Sequence, residues 1–550
     1  MQNSDTIFEN IYFSSARHFR YAIEDYPSVS RKSLIVWRKK VITFHNHSPL
    51  KDFINRNREV IFPFLAFIVP ALVRTIPELL MGPYIIGFDT LGFYVPNTFL
   101  WLHSGINLGN YLATAPLFYA IFMSIVGAGG SPVLVLKIIP VVLVGFLSIS
   151  IYAYARKGLN WSSRKSTFVA FLGTLYFVAL RASWDQLREE LGLVFFFVVL
   201  TLLLVNRKNT SWKRYVVLSL LMVVVVLSHQ LISVLMLGVI VFTVAYNLLH
   251  REFFQSIRLI ATSLPAILYF VLIYLAGVTQ TGFLNYSTNV GSPLLSWTGF
   301  TSYQSMLASV GGFFLYCFVP LLPFIVVGLW RFKNLQLRSW FVLSLILMLL
   351  PLASVSPYRW VLLLTYPFAF LATDALSGLK SIKHKIRFKF SIYKIAVLYL
   401  VLFTAILSFG FMFMTSENPF FYHNPNYLNK YPYQIPTSML QNTVSVIDCH
   451  DTLNSLQWFK NNVNSSGLLL SHTVFYGWAL LELNESRVRS YGFDNPVNAT
   501  ITIAQQGRMQ LYLIWWVSGQ GWYAQPTLPA PFQEVYHSGR IAIYSYNPLA

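Results

Sequence analysis

Charge is scarce in this chain, and negative charge is scarcest. Only 11% of its 550 residues are charged, and 20 acids stand against 40 lysines and arginines. Two cysteines, Cys317 and Cys449, are too few for a disulfide framework. Cys317 also falls inside an apolar run, which argues against pairing them. There is no glycine-rich phosphate loop, so the nucleotide sites built on such loops are not expected. Internal repeats and low-complexity tracts are absent. The N-terminus lacks a basic stretch followed by a short apolar one, so no cleavable signal peptide is expected.

What the chain has is apolar length. Hydrophobic residues make up 55% of it and aromatics 17%. Several runs approach the ~20 residues a helix needs to cross a bilayer. So many of them could not hide in one soluble core, which implies a polytopic membrane protein. The runs lie roughly at 60–77, 132–155, 166–181, 191–206, 214–229, 231–249, 257–278, 311–330, 339–355, 358–377 and 391–414. The expected fold is a polytopic α-helical membrane protein of about eleven spans with a C-terminal extracytoplasmic α/β domain. Its expected divisions are a basic cytoplasmic region (1–57), a transmembrane domain (58–414) and the outer domain (415–550).

The net charge of +20 sits in short clusters between the apolar runs, such as "RKSLIVWRKK" (Arg31 to Lys40) and "KSIKHKIRFKF" (Lys380 to Phe390). Lysine and arginine so placed mark cytoplasmic loops beside anionic lipid, not nucleic-acid binding. The short run "PLFYAIFMSIVG" (Pro116 to Gly127) decides the sidedness. If it spans, the loop "RKGLNWSSRK" (Arg156 to Lys165) falls outside. If it lies along the outer surface, the basic loops at 156–165, 206–214, 250–258, 331–338 and 380–390 all fall inside with the N-terminus. The second arrangement satisfies the positive-inside rule at every loop. It predicts a cell-membrane protein with its N-terminus in the cytoplasm.

That sidedness gathers the acids. Between Val60 and Leu249 they are Glu78, Asp89, Asp185, Glu189 and Glu190, and all fall in the first two outer loops. His229, at a span end, falls there too. An acid entering the hydrocarbon centre costs about 2.5–3.5 kcal/mol on insertion scales. The concentration of acids on one side therefore suggests a site, against the plainer reading that outer loops are wet. Arginine outside is equally unusual, and Arg74, Arg181, Arg188 and Arg359 are expected at or near that face.

Beyond Met414 the chain turns polar. "DTLNSLQWFKNNV" (Asp451 to Val463) has helical spacing, with Leu453, Leu456, Phe459 and Val463 on one side. "GLLLSH", "QLYLIWWV" and "RIAIYSY" read as strands.

The order of short motifs resembles the GT-C superfamily of membrane glycosyltransferases. An outer loop with an aspartate near a tyrosine, "FDTLGFY" (Phe88 to Tyr94), is followed by "TAPLFYA" (Thr114 to Ala120). Then come "YAYARKGLNWSSRKSTFVAFLGTLYF" and an outer loop with arginine and acids, "RASWDQLREELG" (Arg181 to Gly192). The likeness covers residues 60–250 and is similar in kind to the protein mannosyltransferase and aminoarabinose transferase branch and to archaeal members. It implies a sugar delivered on a polyprenyl-phosphate carrier and passed to an acceptor glycan, lipid or protein on the outer face. It also implies that Asp89 is the base or binds a divalent metal. The sequence departs from that pattern in two places. Asp89 is followed by Thr90, not a second acid, and Trp515 and Trp516 by Val517, not aspartate. Block transfer of an oligosaccharide to protein is therefore not expected.

Glycosyl transfer needs a base at the attacking oxygen and positive charge at the departing phosphate. Asp89, among Phe88, Leu91, Phe93 and Tyr94, suits the base. It would equally suit the cap of a short helix beginning near Thr90. Asp185 and Glu189 are expected to assist; if their loop is helical, Arg181 and Asp185 pair at i, i+4, and Asp185 and Glu189 lie on one face. With Asp89, Asp185 could ligate magnesium or manganese, which take oxygen ligands. Alternatively the acids of that loop are exposed and self-paired. Arg359 is the first candidate for carrier phosphate, with Arg74, Arg181, Tyr94 and His229 as further binding residues. Snorkelling toward headgroups is the bland role for Arg359, and interfacial anchoring for His229. A transporter or flippase for a lipid-linked substrate, or a non-catalytic envelope assembly protein, remains the alternative class.

Overall fold

A computed structural model describes residues 57–206, 211–275, 302–350, 357–382, 392–424, 435–506, 510–517 and 528–547. The basic N-terminal region expected over residues 1–57 lies outside these, save its last residue. Six described helices are long and apolar enough to cross a membrane, or up to eight if each of two bent pairs is one span. The six are Arg58–Leu80, Pro132–Gly158, Gln230–Leu249, Phe253–Leu272, Pro357–Leu379 and Ile392–Phe413.

This is fewer than the runs suggest, for reasons of backbone chemistry. The run at 166–181 breaks at Tyr176, whose ψ of 138° is extended. Ser163–Leu175 and Phe177–Asp185 then diverge by 59°. The carbonyl of Leu175, freed by the break, accepts the Ser408 hydroxyl at 2.6 Å, and the Tyr176 hydroxyl donates to the Cys317 carbonyl at 2.6 Å. An apolar interior requires such replacements for lost helix bonds. The run at 311–330 divides into Tyr303–Phe318 and Leu322–Arg331, bent by 90° where Pro320 and Pro323 cannot donate to the helix ladder. The ambiguous run forms an eleven-residue helix, Leu117–Gly127. At about 1.5 Å per residue it is too short for a ~30 Å hydrocarbon core.

The first helix ends in a neutralised charge cluster. Arg74 is fully buried, its Nη1 2.9 Å from Oε1 of Glu78 one turn on. Its Nη2 donates to the Ser183 carbonyl at 3.1 Å, joining this helix to Phe177–Asp185. Lys137 lies 3.5 Å from the other Glu78 oxygen. Its ammonium donates to the carbonyls of Glu78, Gly82 and Tyr84 at 2.9, 2.8 and 2.8 Å, which satisfies the end of the helix.

The C-terminal part carries a five-stranded sheet, ordered β2-β1-β3-β5-β4. The strands are β1 Leu468–Ser471, β2 Val488–Ser490, β3 Leu511–Trp516, β4 Phe532–Ser538 and β5 Ile541–Tyr546. β1 runs parallel to β2 and β3, while β5 is antiparallel to β3 and β4. Helix Val446–Asn462, expected from its spacing, packs on β4 and β5. β1, β3 and β5 were legible because they are buried runs. β2 has only three residues, and "FQEVYHS" of β4 is largely exposed.

Helix Thr473–Glu482 follows β1 and is capped by His472, whose Nδ1 accepts from the Val474 N–H at 3.4 Å. His472 is buried among Tyr491, Phe493 and Trp515, and burial pushes its pKa down to about 4. An unfolded histidine titrates near ~6.5. The stability from the neutral imidazole is thus complete above that value and is lost as pH falls toward 4. Acidification over this window lowers the melting temperature of the protein. His472→Asn, which keeps a capping acceptor and has no proton to gain, removes that part of the pH dependence in thermal unfolding followed by tryptophan fluorescence.

Candidate active site

The loop after the first helix is shaped by one glycine. Gly87 has φ of 98°, a left-handed conformation. A Cβ there would lie 2.2 Å from the Trp184 carbonyl and 3.1 Å from Cβ of Asp185. Only glycine lets the backbone come this close. The Asp89 loop is thereby pressed onto the end of helix Phe177–Asp185. Asp89 precedes a π-helical turn, Thr90–Tyr94, and its side chain makes no capping hydrogen bond. The capping role is therefore not realised. The carboxylate is half-buried and belongs to no ion pair among the described residues.

The acids of the second outer loop are buried: Asp185, Glu189 and Glu190 expose 3%, 2% and 1% of their surfaces. The loop is therefore not exposed, although it is in part self-paired. Arg181 pairs with Asp185 one turn on, as the spacing predicts, and its guanidinium lies 5.0 Å from the Trp184 ring centre. Asp185 and Glu189 do not share one helix face, because the helix ends at Asp185 and Gln186 leaves helical geometry. Nη1 of Arg359 reaches Oε2 of Glu189 at 3.7 Å. The Tyr94 hydroxyl donates to the Asp185 carbonyl at 2.9 Å. Asp89 lies within electrostatic range of Asp185, Glu189, Tyr94 and Arg188.

Two further groups close the site. Arg188 donates to the Thr114 carbonyl and lies over the rings of Tyr94 and Tyr119, at 5.9 and 5.5 Å. This places the "TAPLFYA" segment against the acids. His229 is buried beside Gly192, in electrostatic range of Arg188 and Arg359, and its Nδ1 has no hydrogen-bond partner among the described residues.

Asp89, Tyr94, Arg181, Asp185, Arg188, Glu189, His229 and Arg359 thus share one region. Arg74 does not face it as a free cation, being held by Glu78 and the Ser183 carbonyl. Glu190 faces Arg74. No sequence signal marked three contributors, Gln441, Asn442 and Thr443. They are uncharged residues of a polar stretch; the contacts of Gln441 and Asn442 run to a loop more than three hundred positions away, and that of Thr443 to Val474.

The residues present do not fit a resident divalent cation. Among the described residues no group of three or more His, Cys, Asp or Glu side chains is placed to hold one. Asp185 and Glu189 already face guanidinium groups. What remains is the half-buried carboxylate of Asp89, in electrostatic range of Arg188, in the same region as Arg359 on Glu189. That arrangement can take a proton and hold an anion side by side.

No protein family matches the chain, and no curated protein matches it. Among solved structures it is similar to an oligosaccharyltransferase of Archaeoglobus fulgidus in its apo form, at 14% identity and a TM-score of 0.46. The alignment covers 82% of this chain and 69% of that one.

The pairing makes a separation of roles measurable. Arg181→Ala strands a buried carboxylate and destabilises the fold by about 3–5 kcal/mol. Asp89→Ala removes a half-exposed, unpaired group and stays within about 0.5 kcal/mol of the parent, as surface substitutions do. Thermal unfolding in one detergent compares the two directly.

Proposed function

We propose that the protein is a membrane glycosyltransferase of the GT-C type, which moves one sugar from a polyprenyl-phosphate carrier to an acceptor on the outer membrane face with inversion. The observation that supports this reading most is Asp89, in no ion pair among the described residues, sharing one region with Arg188, Arg359 and the ion-paired Asp185 and Glu189. Asp89 accepts the proton of the acceptor hydroxyl. The oxygen attacks the anomeric carbon from the face opposite the phosphate, and the carbon–phosphate-oxygen bond breaks with its electron pair leaving on the phosphate. Arg359, assisted by His229, holds that departing anion. A single displacement of this kind inverts the anomeric centre. Arg181 holds the Asp185 carboxylate in place, Glu189 orients Arg359, and Tyr94 fixes the Asp185 backbone. Arg74 supports the site through Glu78 and Ser183. No step uses a metal.

The finer arrangement belongs to the same proposal. Residues 58–414 form the membrane domain with about eleven crossings, some of them kinked, and residues 415–550 the extracytoplasmic domain. The basic connectors face the cytoplasm.

Purified protein incubated with a panel of radiolabelled polyprenyl-phosphate sugars and candidate acceptors tests the reading. Asp89→Asn lowers transfer by about 10²–10⁴-fold, the range for loss of a general base, while carrier binding is kept. Unchanged transfer in that variant contradicts the role of Asp89. No transfer from any donor by the unaltered protein favours the transporter or assembly reading.

A further inference from the structure

We propose that the C-terminal domain sets the position of Asp89, acting through a strap at Gln441–Thr443 and through Gly477. This rests on the glycosyltransferase reading for its effect on rate and deepens it.

The strap runs between the last apolar helix and helix Val446–Asn462. The Gln441 carbonyl accepts two hydrogen bonds, from the Gly87 N–H at 3.2 Å and from Nε1 of Trp184 at 3.1 Å. One oxygen thereby ties the Asp89 loop to the helix end that bears Asp185. Asn442 works from both ends of its amide. Its Nδ2 donates to the Ile85 carbonyl at 2.9 Å, and its Oδ1 accepts from the Val444 N–H at 2.9 Å. The Thr443 hydroxyl donates to the Val474 carbonyl at 2.6 Å, which links the strap to helix Thr473–Glu482. That helix then meets the far side of the loop. A Cβ at Gly477 would fall 1.9 Å from the Leu91 carbonyl. Asp89 is thus held two residues before, at Gly87, and two residues after, at Leu91.

These bonds have the character of a positioning device. Asn442 and Thr443 are fully buried and Gln441 nearly so. Buried amides and hydroxyls bond in fixed directions, and leaving one partner unmet costs about 1–3 kcal/mol. None of the three is charged, so they add nothing to the electrostatics of the pocket. They constrain where its half-buried carboxylate, Asp89, stands. A misplacement of about 1 Å at such a group costs on the order of 10²-fold in rate.

Two pairs of substitutions in the full-length protein test this. Asn442→Asp keeps the acceptor for Val444 and loses the donor to Ile85, while Thr443→Val removes the hydroxyl and Thr443→Ser restores it. Amide hydrogen exchange is read over residues 85–94 and, as an internal control, over β1 and β3. The expected result is exchange at 85–94 faster by about 10-fold or more in Asn442→Asp and Thr443→Val. The sheet stays protected, and Thr443→Ser matches the parent. With an active donor, kcat falls by about 10²-fold and KM for the carrier sugar is kept. Unchanged exchange at 85–94 in both variants overturns the proposal, whatever the activity. Faster exchange with full kcat overturns it as well, since the strap would then be structural only. Equal loss of protection in the sheet would mean general unfolding and would also count against it. If Asn442→Asp does not fold, the Thr443→Val and Thr443→Ser pair decides alone. A parent protein without transfer from any donor would defeat the glycosyltransferase reading, while the exchange result would still report on the strap.

Discussion

A charge removed from water is costly unless an opposite charge meets it, and this constraint organises the residues around Asp89. Glu78 has Arg74 and Lys137, Asp185 has Arg181, and Glu189 has Arg359. Each pair also fixes backbone: Arg74 reaches Ser183, and Lys137 gathers three carbonyls at the end of the first helix. With those acids matched, the carboxylate of Asp89 stands apart in being half-exposed and in no ion pair among the described residues. The chemical proposal follows from that contrast, because a carboxylate held by a guanidinium has its oxygens engaged, whereas one outside any ion pair is open to an acceptor hydroxyl.

The second consequence concerns backbone. Bringing Asp89 against Asp185 needs a helix that stops at the right depth and a loop that can touch it. The break at Tyr176 turns Phe177–Asp185 by 59°, and Ser408 satisfies the carbonyl that the break exposes. Gly87 then admits the loop at a distance no side chain would allow. The C-terminal domain completes the enclosure through the strap and Gly477. The C-terminal part is therefore tied to the Asp89 loop by hydrogen bonds through Gln441, Asn442 and Thr443.

Much of this was legible in the sequence, unevenly. The scarcity of acids pointed to Asp89, Asp185 and Glu189, and the spacing of Arg181 and Asp185 foretold their pairing. Buried runs revealed β1, β3 and β5. The break at Tyr176 was not legible, because Tyr176 is an ordinary residue within an apolar run, whereas the bend at Pro320 and Pro323 falls on residues that mark one. Among the described residues six helices are long and apolar enough to cross, or up to eight if each bent pair is one span. Arg74 read as a free cation, although Glu78 one turn on is its partner. The strap left no trace, since glutamine, asparagine and threonine in a wet-looking stretch give no periodic signal, and their partners come from distant chain.

The contrast between one available carboxylate and its neutralised neighbours is tested most directly by chemical labelling. The intact protein in detergent is treated with a water-soluble carbodiimide and an amine, and the modified acids are located by mass spectrometry. The account predicts that, among the acids of the two outer loops, Asp89 is modified first, while Glu78, Asp185, Glu189 and Glu190 resist. Modification of Asp185 or Glu189 ahead of Asp89 would contradict it.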